Sequence, residues 1–134
     1  VSGVTNIRSA LEVALNAMSP SLSSAWENAP FTPVTGTAYQ KVQLLFAEPV
    51  NSEFGRNYRE LGYMQVTLFY PLLVGAALPA ARAELIRSTF YRGAAFTSSG
   101  VTVTVSNTPE VSPGSVDGDR FAIPVKVRFF SNIQ

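Results

Sequence analysis

Residues 30–71 constrain the fold of this chain more than any other stretch. They hold two runs that alternate apolar with polar residues, joined by a segment too long for a tight hairpin. In the first run Val42, Leu44 and Phe46 alternate with Lys41 and Gln43; in the second Met64, Val66, Leu68 and Tyr70 alternate with Gln65 and Thr67. A period of two puts each apolar set on one face of a half-buried strand. The lead-in Pro30-Phe31-Thr32-Pro33-Val34-Thr35-Gly36-Thr37-Ala38-Tyr39 mixes Pro and Gly with β-branched residues and favours an extended entry. Pro71 stops the second run because it has no N–H for the ladder. The loop between the runs, residues 49–60, far exceeds the roughly 2–5 residues of most hairpin loops, a length that goes with a contact element or a mobile segment.

Either side of this pair the period changes to that of a helix. Val4, Ile7, Ala10, Leu11, Ala14, Leu15 and Met18 recur at i, i+3, i+4 spacing, which predicts a helix with one buried stripe, ended by Ser19-Pro20. A second helix is predicted over residues 79–91. There Pro79 takes the first position, and Leu78, Ala81, Leu85, Ile86 and Phe90 face inward opposite Glu84, Arg87 and Ser88, with Gly93 closing it. Val101, Val103 and Val105, then Phe121, Ile123, Val125, Val127 and Phe129, predict two further strands. Pro124 predicts an edge position or a bulge in the last of them, and residues 107–120 read as a second long turn-rich loop. The expected architecture is α+β: an antiparallel β-sheet with two α-helices packed on one face and long β-hairpin loops. At 134 residues there is room for one domain, 1–134.

What is missing from the sequence excludes much chemistry. With no His and no Cys there is no imidazole-based triad, no thiol nucleophile, no thiolate or imidazole metal set and no disulfide. The ten Lys and Arg form no basic run, and the formal net charge is only +1, so strong electrostatic binding to nucleic acid is not expected. No apolar run reaches spanning length, and Arg8, Glu12 and Asn16 interrupt the amino-terminal segment. The expectation is a soluble chain with no leader and no membrane contact; a start at Val1 fits loss of an initiator Met or trimming. Only 14% of residues are charged, against roughly 25% in typical domains. Burial of part of the surface in an assembly would account for that shortage.

The remaining clusters read as structure or contact. Asp117-Gly118-Asp119 could hold a hard cation, but the further ligands of a calcium loop are absent and Asp-Gly is ordinary turn chemistry. Glu53, Arg56, Arg59 and Glu60 gather around the first loop with no nucleophile or phosphate-binding glycine motif beside them, which favours a subunit contact over catalysis. Phe54 and Tyr58, aromatics beside Arg on that loop, are candidate interface anchors, the alternative being that they fold back onto their own sheet. Trp26 reads as core or subunit contact. Gly36, Gly55, Gly62, Gly75 and Gly93 show no dinucleotide or P-loop spacing. No catalytic, cofactor or metal residues are assigned; the candidate assembly contacts are Phe54, Arg56, Tyr58 and Arg59.

In arrangement the chain resembles the small tail-terminator (tail-completion) proteins of long-tailed bacteriophages. The resemblance is carried by Pro30-Phe31-Thr32-Pro33 leading through Gly36 and Tyr39 to Gln43-Leu44-Leu45, by Tyr58-Arg59-Glu60-Leu61-Gly62-Tyr63-Met64-Gln65-Val66, and by the helix around Ala81 to Phe90. It implies a non-enzymatic α+β subunit without a cofactor, forming a ring, commonly of six copies, on the head-proximal end of the tail tube. Such a ring would stop tube growth and offer a surface for joining the head. The implied partners are other copies of the chain, the tail tube protein and a neck or head-completion protein. No sequence-specific nucleic acid is implied, although the genome would pass through the ring. The implied location is the virion tail or neck, after assembly in the host cytoplasm. The competing readings are a head-completion or neck (head-tail connector) protein, a small ligand-binding or enzymatic α+β domain using carboxylates and Arg, and a nucleic-acid-binding module.

Overall fold

The structure, a computed structural model, describes residues 3–18, 23–27, 31–32, 37–51, 55–72 and 77–133. Its elements in chain order are α1 (Gly3–Asn16), β1 (Ser23–Ala25), β2 (Tyr39–Phe46), β3 (Tyr58–Pro71), α2 (Ala77–Thr89), β4 (Ala95–Ser98), β5 (Val101–Val105), β6 (Glu110–Val111), β7 (Ser115–Asp117) and β8 (Arg120–Ile133). The strands form one sheet in the order β1-β2-β3-β8-β5-β4, with β6 and β7 also pairing on β8. Every pairing is antiparallel except β1 with β2. Both helices pack on the same face, so the predicted α+β class and the helix-covered face hold.

The core is the contact between that face and the helices. Ile7, Leu11 and Leu15 of α1 and Ile86 of α2, followed by Phe90, meet Val42, Met64, Val66, Val103, Val125, Val127 and Phe129 from the sheet, all at 1% exposure or less. Burying side chains of this size contributes about 1.5–3 kcal/mol each. Phe46 meets Phe129 edge to face at a centroid distance of 5.8 Å, and Phe90 lies 5.1 Å from Phe96. Trp26 packs half-buried against the same cluster. In α1 the buried stripe begins at Ile7, leaving Val4 exposed. That helix closes with Ala17 N–H to Val13 O and a tighter Met18 N–H to Leu15 O. Ser19 and Pro20, predicted to end it, lie outside the described residues.

Several expectations are corrected. The helix α2 starts at Ala77, and Pro79 sits in its first turn, where a missing N–H breaks no helical bond. Its inner face is Pro79, Arg82, Ala83 and Ile86, with Leu78 and Ala81 exposed. The helix is turned about its axis relative to the predicted stripe, and a charged residue stands inward. Burial lowers the Arg82 pKa from its usual value, and the nearby Tyr70 offsets part of that. Burial likewise pushes the Tyr70 phenol up, while Arg82 pulls it part of the way back.

Residues 58–60, predicted as loop, belong to β3, which pairs with β8 from Tyr58↔Ile133 to Pro71↔Arg120. The ladder to the β2 side runs on through Ala47 N–H to Leu61 O and a reciprocal Val50–Arg59 bridge, with a bulge at Glu48 and Pro49. Of the predicted loop, residues 51 and 55–57 are described outside any strand, and 52–54 lie outside the described residues. The predicted loop at 107–120 carries β6 and β7. The strand β8 is interior, not an edge. Pro124 is tolerated because its carbonyl, accepting from Ser112 N–H, faces the break between β6 and β7, so its missing N–H leaves no ladder bond unmade on that side. The strands β1 and β4 were not foreseen.

Candidate assembly surface

The side of the sheet away from the helices is set by strand parity. Alternate residues Tyr39, Lys41, Gln43 and Leu45 of β2 stand beside Phe69, Thr67, Gln65 and Tyr63 of β3, and these beside Ala122, Pro124, Lys126 and Arg128 of β8. At the next rows Leu61 neighbours Phe130, and Arg59 neighbours Asn132. This outer face has two halves. At one end Phe31 lies 5.1 Å from Tyr39, which stacks on Phe69 at 4.8 Å, with the Arg120 guanidinium 4.8 Å from the Tyr39 ring. Arg120 is buried there and donates to the Thr37 carbonyl. The other half, from Lys41 to Arg59, is covered by no helix or strand among the described residues, and its side chains are exposed or half-buried.

On that open half two of the cations lie on rings. Lys126 Nζ stands 5.1 Å from the Tyr63 ring centre, and the Arg59 guanidinium 4.9 Å from that of Phe130. Both are diagonal neighbours across β3 and β8, the geometry in which long side chains reach aromatic ones. The Arg59 Nε also donates to Asn132 Oδ1 at 3.0 Å, and Arg128 reaches Glu110 on β6 at 3.5 Å. Beside Phe130 and Asn132 a cleft of about 360 Å³ opens toward Thr102 and Thr104. It exists because β5 pairs with β8 only at Thr104↔Phe130 and Val105↔Phe129 before the strands part, Ser131 Oγ then donating to the Thr102 carbonyl at 2.7 Å.

The residues predicted as assembly contacts stand at separate positions. Arg59 is exposed on the outer face, Arg56 is exposed in the short loop beside Gly55, and Phe54 lies outside the described residues. Tyr58 is half-buried against the core, on the opposite side of β3 from Arg59. Glu60 is buried as well. The cross-strand set of Lys41, Tyr63, Lys126, Arg128 and Phe130 was missed. The sequence shows these cations and aromatics in the polar phase of their strands, but which of them meet is set by the register between β2, β3 and β8.

Asp117-Gly118-Asp119 turns β7 into β8 as a two-residue hairpin, with Gly118 at φ 61° and Asp117 paired to Arg120. Among the described residues no three Asp or Glu side chains gather as a metal set. A second cleft, between Val13 and Ala14 of α1 and Phe96 of β4, is lined by small and apolar residues. No carboxylate lines either cleft, and the displaced groups Tyr70 and Arg82 border neither.

The described residues thus form a helix-backed sheet whose outer face is open over one half and carries four cations. The profile of the phage tail terminator protein family matches residues 6–129, and the chain belongs to that family; it is a structural protein of the phage tail. A solved structure superposes with a TM-score of 0.79 at 21% identity, covering 100% of this chain and 99% of its own, a likeness that speaks to the fold alone. No curated protein matches the sequence.

Proposed function

We propose that the chain closes the head-proximal end of the tail tube as a ring, commonly of six copies, stopping tube growth and presenting the surface to which the head is joined. The observation that carries this reading is membership of the tail terminator family across nearly the whole chain. The physics fits the role. A cyclic ring uses heterologous contacts, so each subunit needs two different lateral surfaces besides the axial ones. Here β1 and β4 are chemically different sheet edges at opposite ends of the strand order, and the outer face and the helices offer further surfaces. The partners are then other copies of the chain, the tail tube protein and a neck or head-completion protein, with the genome passing through the opening. The role is mechanical and uses no cofactor, and the ring assembles in the host cytoplasm before joining the virion.

Arg56 and Arg59, with Phe54, make polar and aromatic contacts to tube or neighbour in this reading, while Tyr58 holds the root of the loop from the core side. A phage carrying an early stop codon in this gene distinguishes the role from its nearest competitor. Termination predicts tails of uncontrolled length without heads; tails of normal length beside unattached, DNA-filled heads would move the chain to the neck.

A further inference from the structure

We propose that the open half of the outer sheet face docks an acidic surface of a protein other than this chain, with a partner carboxylate entering the cleft beside Arg59. The proposal rests on the tail reading only for where that partner is sought. The face carries Lys41, Arg59, Lys126 and Arg128 against one carboxylate, Glu110, among the described residues. Elsewhere among the described residues stand the other six cations and seven carboxylates, so the positive charge of the described residues is concentrated on this face. Complementary potential across an interface sets both partner choice and orientation. The cations are also held in place: two lie on rings, and Arg59 is fixed further by Asn132. Less side-chain freedom is lost when a partner arrives, which is how preorganised surfaces gain affinity.

The same geometry argues against the two other occupants. Among the described residues whose side chains are placed, a second copy gathers no acidic face. Glu12 and Glu27 both face Arg8, Glu84 lies beside Arg87, and Glu60 is buried. Glu48 and Asp119 stand at opposite ends of the sheet by register. Duplex DNA is bound through many phosphate contacts, on the order of 6–10 for strong binding, and this face has four cations around an apolar middle of Leu45, Leu61, Tyr63 and Phe130. Aromatic and aliphatic groups at the centre with Arg and Lys around them is the composition of a protein interface. The cleft adds a specific seat. Thr102, Thr104 and Asn132 line it, the Thr102 hydroxyl lying 3.1 Å from that of Thr97, and Arg59, bonded to the Asn132 amide oxygen, stands beside it. A guanidinium beside an opening lined by threonine and asparagine suits a carboxylate.

The test places the photo-crosslinker p-benzoylphenylalanine at Gln43, on this face, in the full chain expressed during infection; purified particles are then irradiated and the linked peptides sequenced. The expected link is to a net-negative stretch of another virion protein. It should fall at least about tenfold in Lys41→Glu/Arg128→Glu, a change at two exposed positions, and persist in Lys41→Arg/Arg128→Lys. Links to a second copy, links to DNA, no link in particles that contain the chain, or an unchanged link after charge reversal would each overturn the proposal. Circular dichroism of the charge-reversed chain shows whether it folds, and the charge-conserving pair tests the same face if it does not. Absence of the unsubstituted chain from particles would instead overturn the tail reading, and this inference with it.

Discussion

At Gly62 the lack of a side chain lets two strands reach pairing distance. A Cβ there would collide with the backbone carbonyl of Leu45 on the neighbouring strand, and backbone cannot swing aside as a flexible side chain can. Gly62→Ala should therefore lower stability by about 2–3 kcal/mol, read as a lower denaturant midpoint with an unchanged slope. Tyr70 makes a different residue-level prediction. Burial raises its folded pKa above the ordinary value near 10, so the neutral phenol stabilises the fold below that pH. That contribution is lost as pH rises through the higher folded value. Melting temperature should thus fall more steeply above about pH 10 in the natural chain than in Tyr70→Phe. Parallel pH curves for the two proteins would show that Tyr70 is not the group responsible.

At the scale of elements, turn chemistry and edge cover do much of the work. The β4–β5 hairpin turns through Ser99 at φ 48° and Gly100 at φ 83°, the two left-handed positions of a type I′ turn. Serine is a poor occupant of the first, and Ser99→Asn should raise stability by about 0.5–1 kcal/mol, seen as a higher denaturant midpoint. Beyond the short β1, the edge of β2 is continued by Glu27, whose carboxylate accepts from Leu44 N–H at 2.6 Å and from Arg8 of α1 at 3.1 Å. Elements with clean periodicity, α1, β2, the second half of β3, β5 and the body of β8, were legible in the sequence. The first part of β3 was hidden because its inward positions are Tyr58, Glu60 and Gly62, of which only the tyrosine reads as core. The inner face of α2 was misjudged for a related reason, since Arg82 points inward beside Tyr70. The strands β1, β6 and β7 have two or three residues each, too few to show a period. Of the candidate contacts, Arg56 and Arg59 were legible as exposed, whereas the aromatic–cation mesh depends on register between distant strands, which a single sequence does not encode locally.

For the whole molecule, the low charge content and the uneven placing of the charge among the described residues fit the assembly role proposed for this tail protein. The central claim of the proposed role concerns where the subunit sits. The most direct measurement mixes the purified protein with tail tube protein of the same phage under polymerising conditions and images the products by negative-stain electron microscopy. The account predicts a ring on one end of each tube and tubes that stop lengthening once it is added. Bare ends on tubes that continue to grow would contradict it.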